Sequence, residues 1–403
     1  MDIKDMFKQH LNRNTVFKHK EFISPHYIPD MLPFRENQIK ESISIIAPAI
    51  RRIRPNNLFV YGKTGTGKTS TIKRVLAQMD EIIKEENNGT NKQVVTYYVN
   101  CRNHNSKYRI LLKLTKLLLN DNFIGYSASF VYDKVLNYIK ENSIILILVL
   151  DEVDLIKEVD EAIYSFNRAN DELTTGGIGI IGISNNVMFK EKLDPRTKSS
   201  LCQKELVFPP YNARELKEIL KQRVKIGFNE GCVDDSAISI ASAISAQESG
   251  DARTALLLIE RAGELADERG KPIVTDEEVY GAKTRVEEDV IINMISTLPE
   301  QEQCVLYAIT TLSVNKRYSI RLLDDGEVLY SGDIYNEYTK LCKSRGKSPV
   351  STKWFKQYLD ELELYGLIIT TVSGKGVRGT TTLVKLGFDA KITYSVLKKI
   401  LDL

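Results

Sequence analysis

The stretch Asn57-Leu-Phe-Val-Tyr-Gly-Lys-Thr-Gly-Thr-Gly-Lys-Thr-Ser-Thr71 decides how the rest of the chain is read. Leu58 to Tyr61 is a short apolar run of the kind that forms a buried strand, and helix-type spacing follows from Thr69. Between them Gly62, Gly67, Lys68 and Thr69 satisfy G-x-x-x-x-G-K-[ST], the phosphate-loop pattern. Glycines at 62, 65 and 67 let the backbone adopt positive φ and press its N–H groups against phosphate oxygens. The helix opening near Lys68 presents its positive dipole end to the same anion. Gly62, Thr64, Gly65, Thr66, Gly67, Lys68, Thr69 and Ser70 are therefore the candidate phosphate ligands. Lys68 has the reach for the β- and γ-phosphates of ATP, and the Thr69 hydroxyl suits Mg²⁺.

The other half of such a site is expected at a strand end. Ile144-Ile-Leu-Ile-Leu-Val-Leu-Asp-Glu-Val-Asp154 is an apolar run that ends in carboxylates, as a central parallel strand would. Ligands of these sheets bind beyond the carboxyl ends of strands, which is where Asp151 and Glu152 fall. Asp151 suits Mg²⁺ coordination and Glu152 suits polarising an attacking water. A second buried run, Gly177 to Ser184, ends in Asn185, which fits either a strand-end cap or a group that orients the water. Arg196 follows a proline turn and reads as a structural loop residue or as a charge-stabilising finger.

Composition narrows the class. The 403 residues are 42% hydrophobic and 27% charged, the balance of a globular chain long enough for two or three domains. The apolar run Ile144–Leu150 is too short to span a bilayer, and the first residues lack a secretory apolar core. Five scattered cysteines with no C-x-x-C spacing argue against a disulfide or zinc framework and for a reducing, cytoplasmic setting. A net charge of +3 implies no partner by itself, so the placement of charge matters more.

Residues 1–20 form a polar, basic arm, and the proline-punctuated stretch after it offers Tyr27, Ile28, Pro29 and Arg35 as nucleotide-base contacts. Lys107, Arg109, Lys113 and Lys116 lie on a helix with no acid across it, which suits a solvated face or phosphate contacts. After Pro209-Pro210 the composition turns helical, with segments of helical spacing near 212–228, 234–248, 251–268 and 275–288. Arg253 stands in the first turn of one of these helices, where a cation opposes the dipole unless an anion lies nearby. Helices near 286–297, 300–313, 333–345 and 350–365 then precede two strands around the turn Gly-Lys-Gly-Val-Arg-Gly at 374–379. Helices followed by a basic hairpin make a winged-helix pattern. Lys353 and Lys356 on the helix, with Lys375 and Arg378 on the hairpin, suit a major-groove helix and a backbone-contacting wing, or a solvated charge run on a protein-binding module.

Taken together, these blocks resemble the archaeal origin-recognition and replication-licensing initiators, AAA+ ATPases related to the largest subunit of the eukaryotic origin recognition complex. The resemblance covers nearly the whole chain. It is carried by Leu-Pro-Phe-Arg-Glu36, the phosphate loop, Leu-Asp-Glu-Val-Asp154, Gly-Ile-Ser-Asn185, Leu-Asp-Pro-Arg-Thr-Lys-Ser-Ser-Leu201, Phe-Pro-Pro-Tyr211 and Gly-Asp-Ala-Arg-Thr-Ala-Leu256. It implies a parallel α/β AAA+ sheet with helices on both faces, an α-helical lid and a C-terminal winged-helix domain. The implied boundaries are 21–210 for the base, with an initiator-specific insertion at about 101–130, then 211–285 and 286–403. It further implies that Asn185 is a sensor-1 residue, Arg253 a sensor-2 arginine and Arg196 a finger acting on a neighbour's nucleotide. Tyr211 and Arg223 become lid contacts, and Lys107 and Arg109 become DNA contacts. Two stretches depart from the family pattern: the helix start Ser351-Thr-Lys-Trp-Phe-Lys356 is not arginine-rich, and Lys316 to Val328 reads as a mixed-charge insertion.

The expected activity is slow ATP hydrolysis to ADP and phosphate in an initiator that binds double-stranded origin DNA and helps recruit the replicative helicase. Paralogous initiator subunits on DNA are the other implied partners, no membrane is involved, and the location is cytoplasmic and nucleoid-associated. Two other readings remain at this level: a DNA-binding regulator that uses nucleotide structurally, and a signalling P-loop ATPase whose winged helix binds protein.

Overall fold

The computed structural model describes residues 15–86, 93–201, 204–315, 320–322, 326–372 and 382–401. Five parallel strands make its first sheet: β1 (Leu58–Tyr61), β2 (Val94–Asn100), β3 (Ile145–Asp151), β4 (Gly177–Ser184) and β5 (Lys204–Val207), ordered β2-β3-β4-β1-β5. Every residue of β3 and β4 is buried, as expected of apolar runs covered on both faces. Alternation along β3 assigns the faces. Leu146, Leu148 and Leu150 pack with Ile110, Leu114, Val135 and Phe166, whereas Ile145, Ile147 and Val149 pack with Ile72, Val75 and Met79.

Register then gathers the polar strand ends. Asn100 pairs with Asp151, Asp151 with Ile183, and Tyr61 with Ser184, so the chain leaves β1, β2, β3 and β4 at one edge. On one face the helices Lys107–Leu118 and Ala128–Glu141 begin at Ser106 and Ser127, whose side chains accept from Arg109 N and Phe130 N. On the other face the helix Lys68–Glu86 follows β1 directly.

Three lid helices come next. Ala213–Gly227 opens with a reciprocal capping box between Asn212 and Glu215, Asp235–Glu248 follows, and Ala252–Arg269 starts at the Asp251 cap and ends at Gly270. The segment after residue 14 is strapped to this lid: Val16 N donates to Asp267 Oδ1 at 2.8 Å, and the Phe17 ring packs at a tilt against Phe228, centroids 4.6 Å apart.

The chain divides into two compact units between Val279 and Tyr280. In the second, the helices Glu300–Val314, Ser331–Ser344, Thr352–Leu364 and Ala390–Ile400 accompany an antiparallel sheet. Its strands are β6 (Ile320–Leu322), β7 (Gly326–Tyr330), β8 (Ile368–Val372) and β9 (Thr382–Leu386), ordered β6-β7-β9-β8. Leu306, Ile309, Tyr338, Phe355, Leu359, Leu362 and Val384 form its core, so this is a winged-helix unit.

Three sequence expectations change here. The segments expected near 275–288 and 286–297 are one continuous helix, Asp276–Ser296; the acidic run Glu287-Glu288-Asp289 interrupts the apolar spacing without interrupting the backbone. The mixed-charge insertion at 316–328 supplies β6 and much of β7. Strand alternation there is masked by charged residues, and the antiparallel pairing of Ile320–Leu322 with Gly326–Val328 makes it a pair of strands. The closing helix Ala390–Ile400, capped by Asp389, was not anticipated.

Candidate functional site

A cavity of about 430 Å³ lies between the carboxyl edge of the first sheet and the lid. Its floor is the phosphate loop. Gly65 and Gly67 hold φ of 68° and 89°, a region in which a side chain would be strained. The loop also meets the lid directly: Ala252 N donates to Gly65 O at 3.2 Å, and a Cβ at position 65 would stand 1.3 Å from Asp251 Oδ1. Thr64, Gly65, Gly67, Lys68, Thr69 and Ser70 all line the cavity.

Lys68 is buried, and its Nζ donates to Gly62 O and Lys63 O at 2.7 Å and to Asn185 Oδ1 at 2.8 Å. Burial pushes its ammonium down to about 8, against the pull of Asp151 and with the push of the Arg253 charge. An arriving polyphosphate would therefore meet a cation whose charge is short of compensation.

At the end of β3, Asp151 is fixed by three donors. Its Oδ2 accepts from Thr69 Oγ1 at 2.9 Å and from the Tyr98 hydroxyl, and its Oδ1 accepts from Glu152 N at 3.0 Å. Burial, and next the bond to Asp151, push the Tyr98 phenol up, so it stays a donor. Glu152 takes a left-handed backbone, φ 54°, and its carboxylate accepts from Arg102 Nε and Nη2 at 2.9 and 3.1 Å. That fork-on-carboxylate pair holds the side chain toward β2. Tyr98 and Arg102 were missed by the sequence reading. Their signal was positional, because β2 neighbours β3 in parallel register and so its end must share the carboxyl edge.

Tyr27, Ile28 and Pro29 wall one end of the cavity, and Tyr211, Arg223 and Arg253 line it from the lid side. Arg223 is 3% exposed; its Nη2 donates to Ser24 O at 3.1 Å and Tyr27 O at 3.0 Å, and its guanidinium lies 4.8 Å from the Tyr27 ring centroid. Burial pushes Arg223 down to about 10. The segment that walls this end is thus tied to the lid helix Ala213–Gly227.

Arg35 is placed differently from the expectation of a base contact. It is 2% exposed and donates to Thr66 O at 2.9 Å, Pro209 O at 2.8 Å and Phe34 O at 2.9 Å, with its guanidinium 3.8 Å from the Tyr211 ring centroid. With its donors committed to three carbonyls, Arg35 braces the phosphate loop from behind, outside the cavity lining. Gly62 and Thr66 also lie behind the wall, where the Thr66 hydroxyl closes the loop onto Lys63 O at 2.8 Å.

Arg196 is exposed on the helix Pro195–Leu201, in a separate concavity shared with Tyr164, Arg168 and Asp171. Lys107 is not unopposed as its own helix suggested: it pairs at 2.7 Å with Glu161, an acid supplied by another helix. Arg109 is exposed. On the winged-helix unit Lys353 and Lys356 are exposed, whereas Lys340 pairs with Glu337, and Arg345 and Lys347 both pair with Glu300. Lys375 and Arg378 lie outside the described residues. No group of three or more His, Cys, Asp or Glu among the described residues has the makings of a metal cluster.

The three parts of the chain match three families in order: an AAA domain over residues 52–183, the Cdc6 AAA+ ATPase-type lid domain over 217–284, and the CDC6 C-terminal winged helix domain over 293–396. The match also holds end to end. ORC1-type DNA replication protein 1 of Archaeoglobus fulgidus is 36% identical over 397 residues, covering 98% of this chain and 94% of that protein. Its namesake in Sulfurisphaera tokodaii is 37% identical over 400 residues, covering 98% and 96%. The chain belongs to the ORC1-type DNA replication protein family. Among solved structures, that of the Aeropyrum pernix ORC1 protein in complex with DNA is 32% identical, with a TM-score of 0.76 over 96% of this chain and 97% of that one. The Cdc6p structure from Pyrobaculum aerophilum, 23% identical with a TM-score of 0.59, shares the fold. A family member with this fold carries an AAA+ ATPase base and binds nucleotide. No helix among the described residues is long and apolar enough to cross a membrane.

Proposed function

We propose that this chain is an ATP-dependent initiator of DNA replication that binds double-stranded origin DNA and helps recruit the replicative helicase. The observation that carries the reading is the end-to-end match to ORC1-type replication proteins, in a chain that has both a phosphate-loop cavity and a match to the CDC6 winged helix domain. In this reading ATP enters the cavity between base and lid. The N–H groups of the loop and Lys68 hold the phosphates, Tyr27, Ile28 and Pro29 pack on the base, and Arg253 and Tyr211 reach in from the lid.

The residues present fit a magnesium ion. Thr69 Oγ1 and Asp151 Oδ2 are hard oxygen donors 2.9 Å apart at the loop, the donor type Mg²⁺ takes. When bound, the ion would neutralise charge on the phosphates. Glu152 is the base that orients the attacking water, and Asn185, now bonded to Lys68, is placed to sense the γ-phosphate. Glu152 must leave Arg102 before it can act, which supports slow turnover, secondary to DNA binding. Arg196 is exposed and away from its own cavity, in keeping with a finger offered to a paralogous initiator assembled beside it on DNA. Lys353 and Lys356, with Arg109 on the inserted helix and Lys375 and Arg378 on the wing, are the proposed DNA contacts, and Lys107 joins them only by releasing Glu161.

The test compares footprints on origin duplex and on random duplex, with and without ATP, for the wild type and for Glu152→Gln. Nucleotide-dependent protection of origin DNA is expected, with hydrolysis lost in Glu152→Gln and protection kept. Equal affinity for both duplexes would overturn the reading.

A further inference from the structure

The chain holds a single tryptophan, Trp354, at the third position of the helix Thr352–Leu364. Its placement is unusual for its chemistry. The apolar face of that helix is supplied by Phe355, Leu359 and Leu362, which are buried, and it is Phe355 that makes the ring contacts, to Tyr335 at 5.1 Å and Tyr338 at 6.1 Å. Trp354 is 53% exposed and, among the described residues, has neither a ring contact nor a hydrogen bond. At about 100° per residue, Leu364, Gln357 and Lys353 point furthest from the core, with Asp360 beside them, Trp354 on one flank of that outward face and Lys356 on the other. The first turn holds no acidic residue.

We infer that Trp354 reads base edges: its indole enters the groove between phosphate contacts made by Lys353 and Lys356 and contributes sequence preference. This rests on the DNA-binding reading given above. In helix-turn-helix modules the first residues of the second helix meet the bases, and Trp354 stands among them. An indole offers an apolar face for a thymine methyl and one N–H donor for an acceptor such as O4 or N7. A lysine ammonium on a phosphate fixes the position of the helix and carries no sequence information directly. Within Ser351-Thr-Lys-Trp-Phe-Lys356, Trp354 is the exposed large apolar side chain and so offers the broadest surface for such a contact. A protein partner would bury a broad apolar patch. The other exposed apolar residues of this helix and its exit, Leu364, Tyr365 and Ile369, lie at the far end, leaving Trp354 a lone apolar group among lysines.

Being single, the tryptophan also reports on itself. The experiment uses the full chain and a duplex pool randomised in sequence, from which wild-type protein selects a preferred duplex. Titrating that duplex should shift and quench the tryptophan emission. In Trp354→Ala the affinity ratio between the selected duplex and a scrambled one should narrow roughly tenfold, with the slope of log Kd against log salt kept. Trp354→Phe should retain part of the ratio, and Lys353→Ala with Lys356→Ala should weaken both duplexes and flatten the slope. If wild-type protein binds DNA with preference while the emission stays unchanged and Trp354→Ala discriminates as well as the wild type, the inference fails and the DNA-binding reading stands. If wild-type protein binds no duplex, both fail. If the emission responds only to a protein partner, the inference is overturned.

Discussion

Gly65 is the point at which lid and phosphate loop touch, and Gly65→Ala tests that contact. The φ of 68° costs an alanine about 1–2 kcal/mol of left-handed strain wherever it stands. The new methyl would also fall 1.3 Å from Asp251 Oδ1, so the carboxylate must rotate away. Rotation breaks its bond with Arg253 N, 2.7 Å, which caps the helix Ala252–Arg269 and is worth about 1 kcal/mol. The expected total is about 2–3 kcal/mol. The two parts separate in an Asp251→Gly background, because glycine is a tolerated cap and offers no carboxylate to strike. There Gly65→Ala should cost only the strain, about 1–2 kcal/mol, leaving a coupling of about 1 kcal/mol between the two positions. Amide hydrogen exchange along Ala252–Arg269 in the nucleotide-free protein measures all four corners of the cycle. Equal costs in both backgrounds would refute the argument, because the lid carboxylate would then not rest on the loop.

Two further outcomes follow from buried charge. Arg35→Met should destabilise the first unit by about 2–4 kcal/mol, since Thr66 O, Pro209 O and Phe34 O lose their donor, and urea unfolding measures it. A large loss of ATP affinity with unchanged stability would show instead that Arg35 meets the nucleotide. In the winged-helix unit Glu302 is 3% exposed, and its Oε2 has no hydrogen-bond partner. Burial, then the neighbouring Glu361 carboxyl, push Glu302 from 4.5 up to about 7. The folded state therefore holds this proton more tightly than the unfolded chain does. Its contribution is intact below 4.5, is lost as pH rises toward about 7, and stays lost above that. Glu302→Gln should leave unfolding unchanged at low pH and raise the midpoint at alkaline pH, followed by Trp354 fluorescence in urea; an equal shift at both would refute it.

How much of this was legible beforehand depends on whether a residue's role is set along the chain or across it. The phosphate loop and the β3 carboxylates depend on neighbours within a few residues, and their spacing alone revealed them, whereas the caps at Ser106 and Ser127 appear only in the folded chain. Arg35, Tyr98, Arg102 and Lys107 depend on partners 31 to 54 residues away or more, so the sequence showed their chemistry but not their use. Two basic residues show the difference. Lys107 has no acid across its own helix yet pairs with Glu161, and Arg35, expected at the nucleotide base, meets three carbonyls. Folding compensates cations from distant strands and helices because leaving one buried and unpaired costs several kcal/mol. Among the candidate site residues, the cations that stay exposed after that pairing, Lys353, Lys356, Arg109 and Arg196, are thus better candidates for ligand contact than charge runs in the sequence. A charge-reversal scan should accordingly separate the two sets: Lys107→Glu or Lys347→Glu acts first on stability, and Lys353→Glu or Lys356→Glu acts first on DNA affinity.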